Sequence, residues 1–165
     1  MSSSNPETSG GCQCGAVRYH AVLDPQSAHV CYCRMCQKAA GGPFAALVHA
    51  DNASLIWTRG TPSEFMSSDL AARGFCAACG TPLYYRSPDA PYINLTIGSL
   101  DDPTLALPLR QMGMEARWPV VDHLGALPDT GATEEDMADE APRIAASNRQ
   151  HPDHDTVVWA REKDT

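Results

Sequence analysis

The sequence predicts a mostly β domain stabilised by metal, and three observations carry that prediction. Short segments rich in β-branched and aromatic residues recur between Gly, Pro, Asp and Asn. No stretch before residue 130 sustains a long 3.6-residue apolar period. The seven cysteines are clustered as Cys12-Gln-Cys14, Cys31-Tyr-Cys33-Arg-Met-Cys36 and Cys76-Ala-Ala-Cys79, a distribution that suits metal ligation better than scattered core packing.

Residues 1–10, MSSSNPETSG, are rich in Ser, Asn, Pro and Gly and read as a disordered leader. The structured domain is expected to run over 11–128, the span that holds every cysteine. In AVRYHAVL, Val17, Tyr19, Ala21 and Leu23 alternate with Arg18 and His20, which is the period of a half-buried strand. FAALVHA, ASLIWT, PLYYR and YINLTIG read as further strands. LDDPTL suits one helical turn, with Asp as cap and Pro in the first turn. Residues 129–165 form an acidic C-terminal extension. Its segment TEEDMADEAPRIAASNRQ is either an irregular helix interrupted at Pro142 or a solvated tail.

A chain of 165 residues with 43% hydrophobic content is enough for one domain with a real core. No apolar run approaches the ~20 residues of a membrane span, and the start lacks the basic and apolar regions of a secretory signal. The expected location is therefore cytoplasmic, where thiols stay reduced and clustered cysteines point to metal or catalysis before disulfides. The net charge of −8 lies mainly in the tail: 10 acidic and 8 basic residues lie in 1–128, and 10 acidic and 4 basic in 129–165. No Lys/Arg stripe is present, which argues against nucleic-acid or membrane-surface partners.

In an extended strand, residues two apart point to one face, so Cys12 and Cys14 can present both sulfurs to one ion. Gly15 and Gly80 each follow a cysteine pair, where the backbone must turn tightly, as in a zinc knuckle. Two knuckles complete one tetrahedral site, and Cys12, Cys14, Cys76 and Cys79 would clamp the chain across more than sixty residues. Pairing Cys33/Cys36 with Cys76/Cys79 is the other partition, though its 39 intervening residues exceed the usual ribbon spacing. If the first partition holds, Cys31, Cys33 and Cys36 remain, and three ligands with a vacant fourth position suit a catalytic zinc. Three thiolates around zinc carry a net negative charge and favour a soft incoming ligand such as a small thiol. His29 or His49 as a fourth ligand would instead close the site. Arg34 and Lys38, flanking the triad, are candidates to neutralise it or to bind a carboxylate, and the alternative for both is simple solvent exposure. Cys33-x-x-Cys36 also has dithiol spacing, but no βαβ pattern surrounds it.

The ordered set GGCQCGAVRY, CYCRMCQKAAGGPF, GFCAACGTPLYY and IGSLDDP resembles the glutathione-dependent formaldehyde-activating enzyme family, which includes the centromere protein V group. The resemblance covers about residues 10 to 128 and accounts for all seven cysteines. It implies a fold of coiled antiparallel β-sheets, a structural zinc on Cys12, Cys14, Cys76 and Cys79, and a catalytic zinc on Cys31, Cys33 and Cys36. The implied activity is that of a carbon-sulfur lyase condensing glutathione with formaldehyde, or a similar small thiol with a small aldehyde. Where many members carry His-Ile in the strand after LDDP, this chain reads Leu109-Arg110-Gln111-Met112, which leaves Gln111 in the place of that imidazole. Trp118-Pro119 matches the family's later tryptophan. A non-catalytic zinc-stabilised binding module is the competing function, and a second site closed by protein ligands would favour it.

Overall fold

A computed structural model describes residues 5–158. Nine strands dominate among the described residues: β1 (Glu7–Gly11), β2 (Arg18–Cys31), β3 (Ala45–Asp51), β4 (Ile56–Arg59), β5 (Ser63–Ser68), β6 (Ala71–Phe75), β7 (Pro82–Arg86), β8 (Tyr92–Thr96) and β9 (Arg110–Met112). The helices α1 (Arg34–Ala40), α2 (Thr133–Asp136) and α3 (Ala141–Ser147) are short. The strand path is β1-β2-β3-β8-β7-β6-β5, with β4 and β9 also paired to β2. All named pairings are antiparallel except β2 with β9. The mostly antiparallel β class expected from the sequence is the class observed. No helix among the described residues is long and apolar enough to cross a membrane.

The long strand β2 organises the sheet. It extends beyond AVRYHAVL through Pro25, which has no N–H to give a ladder, and its register with β3 shifts between Asp24 and His29. Ser27 repairs the gap: its hydroxyl donates to the Asp24 carbonyl at 2.6 Å and accepts from the His49 N–H at 2.8 Å. The first half of β2 thus pairs with β1 and β4, the second with β3 and β9. Tyr19 and Leu23 of β2, Val48 of β3, Leu83 of β7 and Leu95 of β8 are fully buried in the core.

Part of the expected leader is ordered. Glu7–Gly11 pairs with β2 residue for residue, and the Asp101 N–H donates to the Ser9 carbonyl. Backbone pairing needs no apolar side chains, so a Ser/Gly-rich edge strand escapes a composition test. Residues 1–4 lie outside the described residues. LDDPTL does form a 3-10 turn over Pro103–Ala106, with the Asp102 carboxylate accepting from the Thr104 N–H at 3.0 Å. The extension carries α2 and α3, with Pro142 in the first turn of α3, where its missing N–H costs nothing. Beyond them the chain returns to β2: the His151 N–H donates to the Gln13 carbonyl, and Asp155 meets Arg18 and His20.

Candidate metal centre

Two knuckles bring Cys12, Cys14, Cys76 and Cys79 together. In the first, the Gly15 N–H donates to the Cys12 carbonyl at 3.0 Å, and in the second the Gly80 N–H donates to Cys76 at 2.8 Å. Gly15 and Gly80 lie at φ of 72° and 78°, as such turns require. Thr81 locks the two halves: its hydroxyl oxygen accepts from the Gln13 N–H at 3.0 Å and lies 3.1 Å from Cys79 Sγ. The four Sγ atoms all lie within 4.8 Å of one another, with Cys12 and Cys14 3.6 Å apart and Cys14 and Cys76 3.9 Å apart. Zinc at about 2.3 Å from each sulfur sets tetrahedral edges of roughly 3.8 Å, so these sulfurs fit that ion. Burial pushes the Cys12 thiol up to about 12 despite the Val17 N–H at 3.3 Å, whereas at Cys79 burial is outweighed by the Thr81 hydrogen bonds, which bring it to about 6. A cation at the centre would favour the thiolate at all four.

The second cluster sits where β2 runs into α1. Cys31 ends the strand, Cys33 precedes the first turn of α1, and Cys36 lies within that turn, so one chain reversal gathers three sulfurs within 4.8 Å of one another. The reversal is held from below by β9, whose Met112 carbonyl accepts from the Tyr32 N–H at 2.9 Å. Gly113 follows at φ 65° and presses on Cys33 so closely that a Cβ there would stand 2.5 Å from its nitrogen. Burial pushes the Cys31 thiol up to about 12. Burial also opposes ionisation of Cys33, but hydrogen bonds from the Cys36 N–H, the Cys36 and Cys31 thiols and the Met35 N–H together outweigh it and lower that thiol. Either cluster could hold a metal ion.

The structure brings together the partition favoured from spacing and does not bring Cys33/Cys36 to Cys76/Cys79. Among the described residues no His, Asp or Glu joins the three-sulfur cluster. His29 is engaged with the Ser27 carbonyl at 2.9 Å, and His49 stacks on Tyr92 with ring centroids 4.0 Å apart. Arg34 and Lys38 are both exposed on α1, and the Arg34 guanidinium donates to Gln37 Oε1 at 2.9 Å. Gln37, itself buried, is the hub that seats the following chain: it donates to the Ala116 carbonyl at 2.7 Å and accepts from the Trp118 indole at 3.2 Å. Gln111 accepts from the Tyr32 hydroxyl at 3.0 Å and so supports the reversal.

Sequence reasoning missed Arg73. It stands on β6, and its guanidinium approaches Cys36 Sγ at 3.5 Å while lying over the Tyr85 ring, 5.2 Å from its centroid. The segment Ala71–Phe75 is too short and too mixed to read as a strand, so nothing in the sequence placed that cation opposite the triad.

The chain is 31% identical over 80 residues to an uncharacterized lyase of Schizosaccharomyces pombe, a match spanning 48% of this chain and 58% of that relative's length. It is 29% identical over 107 residues to a Halomonas elongata protein provisionally named glutathione-dependent formaldehyde-activating enzyme, covering 60% of this chain and 68% of the relative. The fold is similar to the crystal structure of a Rhodobacter sphaeroides protein, with a TM-score of 0.53 at 21% identity over 63% of this chain and 99% of that one. The sequence model of the glutathione-dependent formaldehyde-activating enzymes matches residues 7–115, and with both cysteine clusters inside that span the chain belongs to this family.

Proposed function

We propose that the chain is a zinc-dependent carbon-sulfur lyase that condenses glutathione, or a similar small thiol, with formaldehyde or another small aldehyde. The observation that carries this reading is the cluster of Cys31, Cys33 and Cys36, three sulfurs within 4.8 Å with no fourth protein ligand among the described residues. In this reading Cys12, Cys14, Cys76 and Cys79 hold a structural zinc and clamp the domain over 11–128. Zinc held by the three remaining thiolates would supply a Lewis acid with an open position, which favours an incoming thiol as its thiolate.

The chain's own residues do the rest. Addition forms a sulfur-carbon bond, moves the carbonyl π pair onto oxygen and ends with protonation of that oxygen. Such a step needs proximity and charge stabilisation more than covalent participation by the protein. Arg73 brings a guanidinium to the sulfur cluster and offsets its net negative charge. Arg34 and Lys38 are exposed beside the triad, where they can meet the carboxylates of glutathione. Seven cysteines gathered in two clusters fit a reducing compartment, and cytoplasmic location is part of this proposal. The test is NMR exchange between formaldehyde and its glutathione adduct. Exchange faster with the zinc-loaded protein than without it supports the lyase, and an unchanged rate leaves a zinc-stabilised binding module.

A further inference from the structure

An apolar cavity of about 350 Å³ adjoins the three-sulfur cluster. Its wall includes Ala40, Ala45, Leu47, Phe65, Phe75 and Arg73. The sheet register explains the adjacency: Cys31 is the cross-strand partner of Ala45, and Leu47, two residues on, is the partner of Thr96, so these side chains share one face. Cys36 packs with Ala45 and Leu47, which makes the wall between cluster and cavity only one side chain thick. On the opposite side Phe65, Arg73 and Tyr85 are successive cross-strand partners on β5, β6 and β7, and Phe65 stands largely exposed at the rim.

The polar groups lining this cavity are mostly engaged elsewhere. The Tyr84 hydroxyl donates to Glu64 at 2.9 Å, and the Thr96 hydroxyl donates to the Pro82 carbonyl at 2.7 Å. Arg73 differs. Among the described residues no carboxylate pairs with it, and its Nε is buried without a hydrogen-bond partner. Its charge is therefore left facing the Cys36 sulfur, at the place where cavity and cluster meet.

We propose that this cavity seats the apolar substituent of the carbonyl partner, with the Arg73 guanidinium placed to receive the oxygen that becomes negative as sulfur adds to carbon. The inference rests on the lyase reading and names its aldehyde class: alkyl or aryl aldehydes, in preference to formaldehyde. A dry cavity of ~150 Å³ accepts benzene, so this volume takes a phenyl ring or an alkyl chain of about six carbons. Formaldehyde has no substituent to place there. Each methylene buried contributes roughly fourfold to binding. In the balanced step, the thiolate pair forms the S–C bond, the C=O π pair becomes the alkoxide beside Arg73, and water returns the proton released when the thiol ionised. No oxidant or reductant is required.

The experiment uses the full zinc-loaded chain with glutathione and compares hexanal with formaldehyde, using unreactive hexanamide as a binding probe. Hexanal should exceed formaldehyde in kcat/KM by at least about tenfold, the effect of burying two or more methylenes. Hexanamide should shift the backbone amides of Gly74 and Thr96 in NMR spectra. Ala40→Trp, which narrows the cavity from an exposed position on α1, should lower the hexanal-to-formaldehyde ratio about tenfold and remove the hexanamide shifts. Accelerated formaldehyde exchange without a hexanal preference overturns this inference and leaves the lyase reading standing. Hexanamide binding without acceleration of either aldehyde also overturns it. Failure of both aldehydes and no hexanamide shifts overturns both readings. The wild-type comparison and probe binding decide the matter even if Ala40→Trp fails to fold.

Discussion

Arg18 and Asp101 form a two-toothed ion pair, at 2.8 and 2.5 Å, with side chains only 3% and 12% exposed. It ties the strand after the first knuckle to the LDDP turn, and the Ser9 hydroxyl adds a donor to the same carboxylate at 2.5 Å. Burial raises the Asp101 carboxyl, but the Arg18 and Ser9 hydrogen bonds outweigh it and hold the group below the usual carboxylate range. Asp101→Asn should cost about 3 kcal/mol, because it strands a buried guanidinium that keeps only the half-exposed Asp155. The lowered value means that the pair's contribution is full above about pH 3.9 and is lost as pH falls through the folded value. In denaturant unfolding, the gap between wild type and Asp101→Asn should therefore narrow below about pH 3.9. A gap that stays constant would contradict the pairing.

The two cysteine clusters should differ in how they release metal. About two zinc ions per chain are expected, with the ion at Cys31, Cys33 and Cys36 leaving first under mild chelation, since a three-ligand site is open to attack and a closed four-cysteine site is not. Cys76→Ser should lose the knuckle metal and much of the folded structure, read by metal content together with near-ultraviolet circular dichroism. Equal retention of both ions, or a stable folded Cys76→Ser chain, would count against the assignment.

The returning tail should undock as pH falls. His151 packs against Gly15, lies 2.9 Å from the Thr156 hydroxyl and donates its N–H to Gln13. Burial, helped by the nearby Arg18 and Arg59 charges, holds its imidazole below the ordinary histidine value, with the Pro152 carbonyl and then Asp101 opposing. The docked state therefore favours neutral His151. Its contribution is complete above about pH 6.5 and disappears as pH drops through the lowered value. Amide exchange at His151, corrected for intrinsic rate, should speed up several-fold between about pH 7.5 and about pH 5.5. No change over that range would show that the imidazole does not hold the tail.

The knuckles and the triad were legible in the sequence because metal chemistry demands specific residues at short spacing. Cys12, Cys14, Cys76 and Cys79 meet as the spacing implied, and Asp102 caps the turn it was expected to cap. What escaped detection depends on partners distant in sequence. Ser9 and Gly10 pair through backbone alone, and β5 and β6 form a hairpin from SEFMSS and AARGF, neither of which alternates cleanly. Arg73 was hidden for that reason, since only the pairing of β6 with β7 lays it over Tyr85 and opposite Cys36. Pro25 hid the second half of β2 in the same way, because a proline argues against a continuous strand until a bulge accommodates it.

In the proposed function Cys31, Cys33 and Cys36 form an open metal site that takes a small thiol. Calorimetric titration of glutathione into the zinc-loaded chain, in buffers of different ionisation enthalpy, tests it most directly. About one proton per glutathione should be released near neutral pH, because the bound form is the thiolate. Cys33→Ser should abolish this proton-linked binding and retain the four-cysteine zinc and the fold, since the two clusters share no ligand. Glutathione binding with the same proton release in Cys33→Ser would contradict the account.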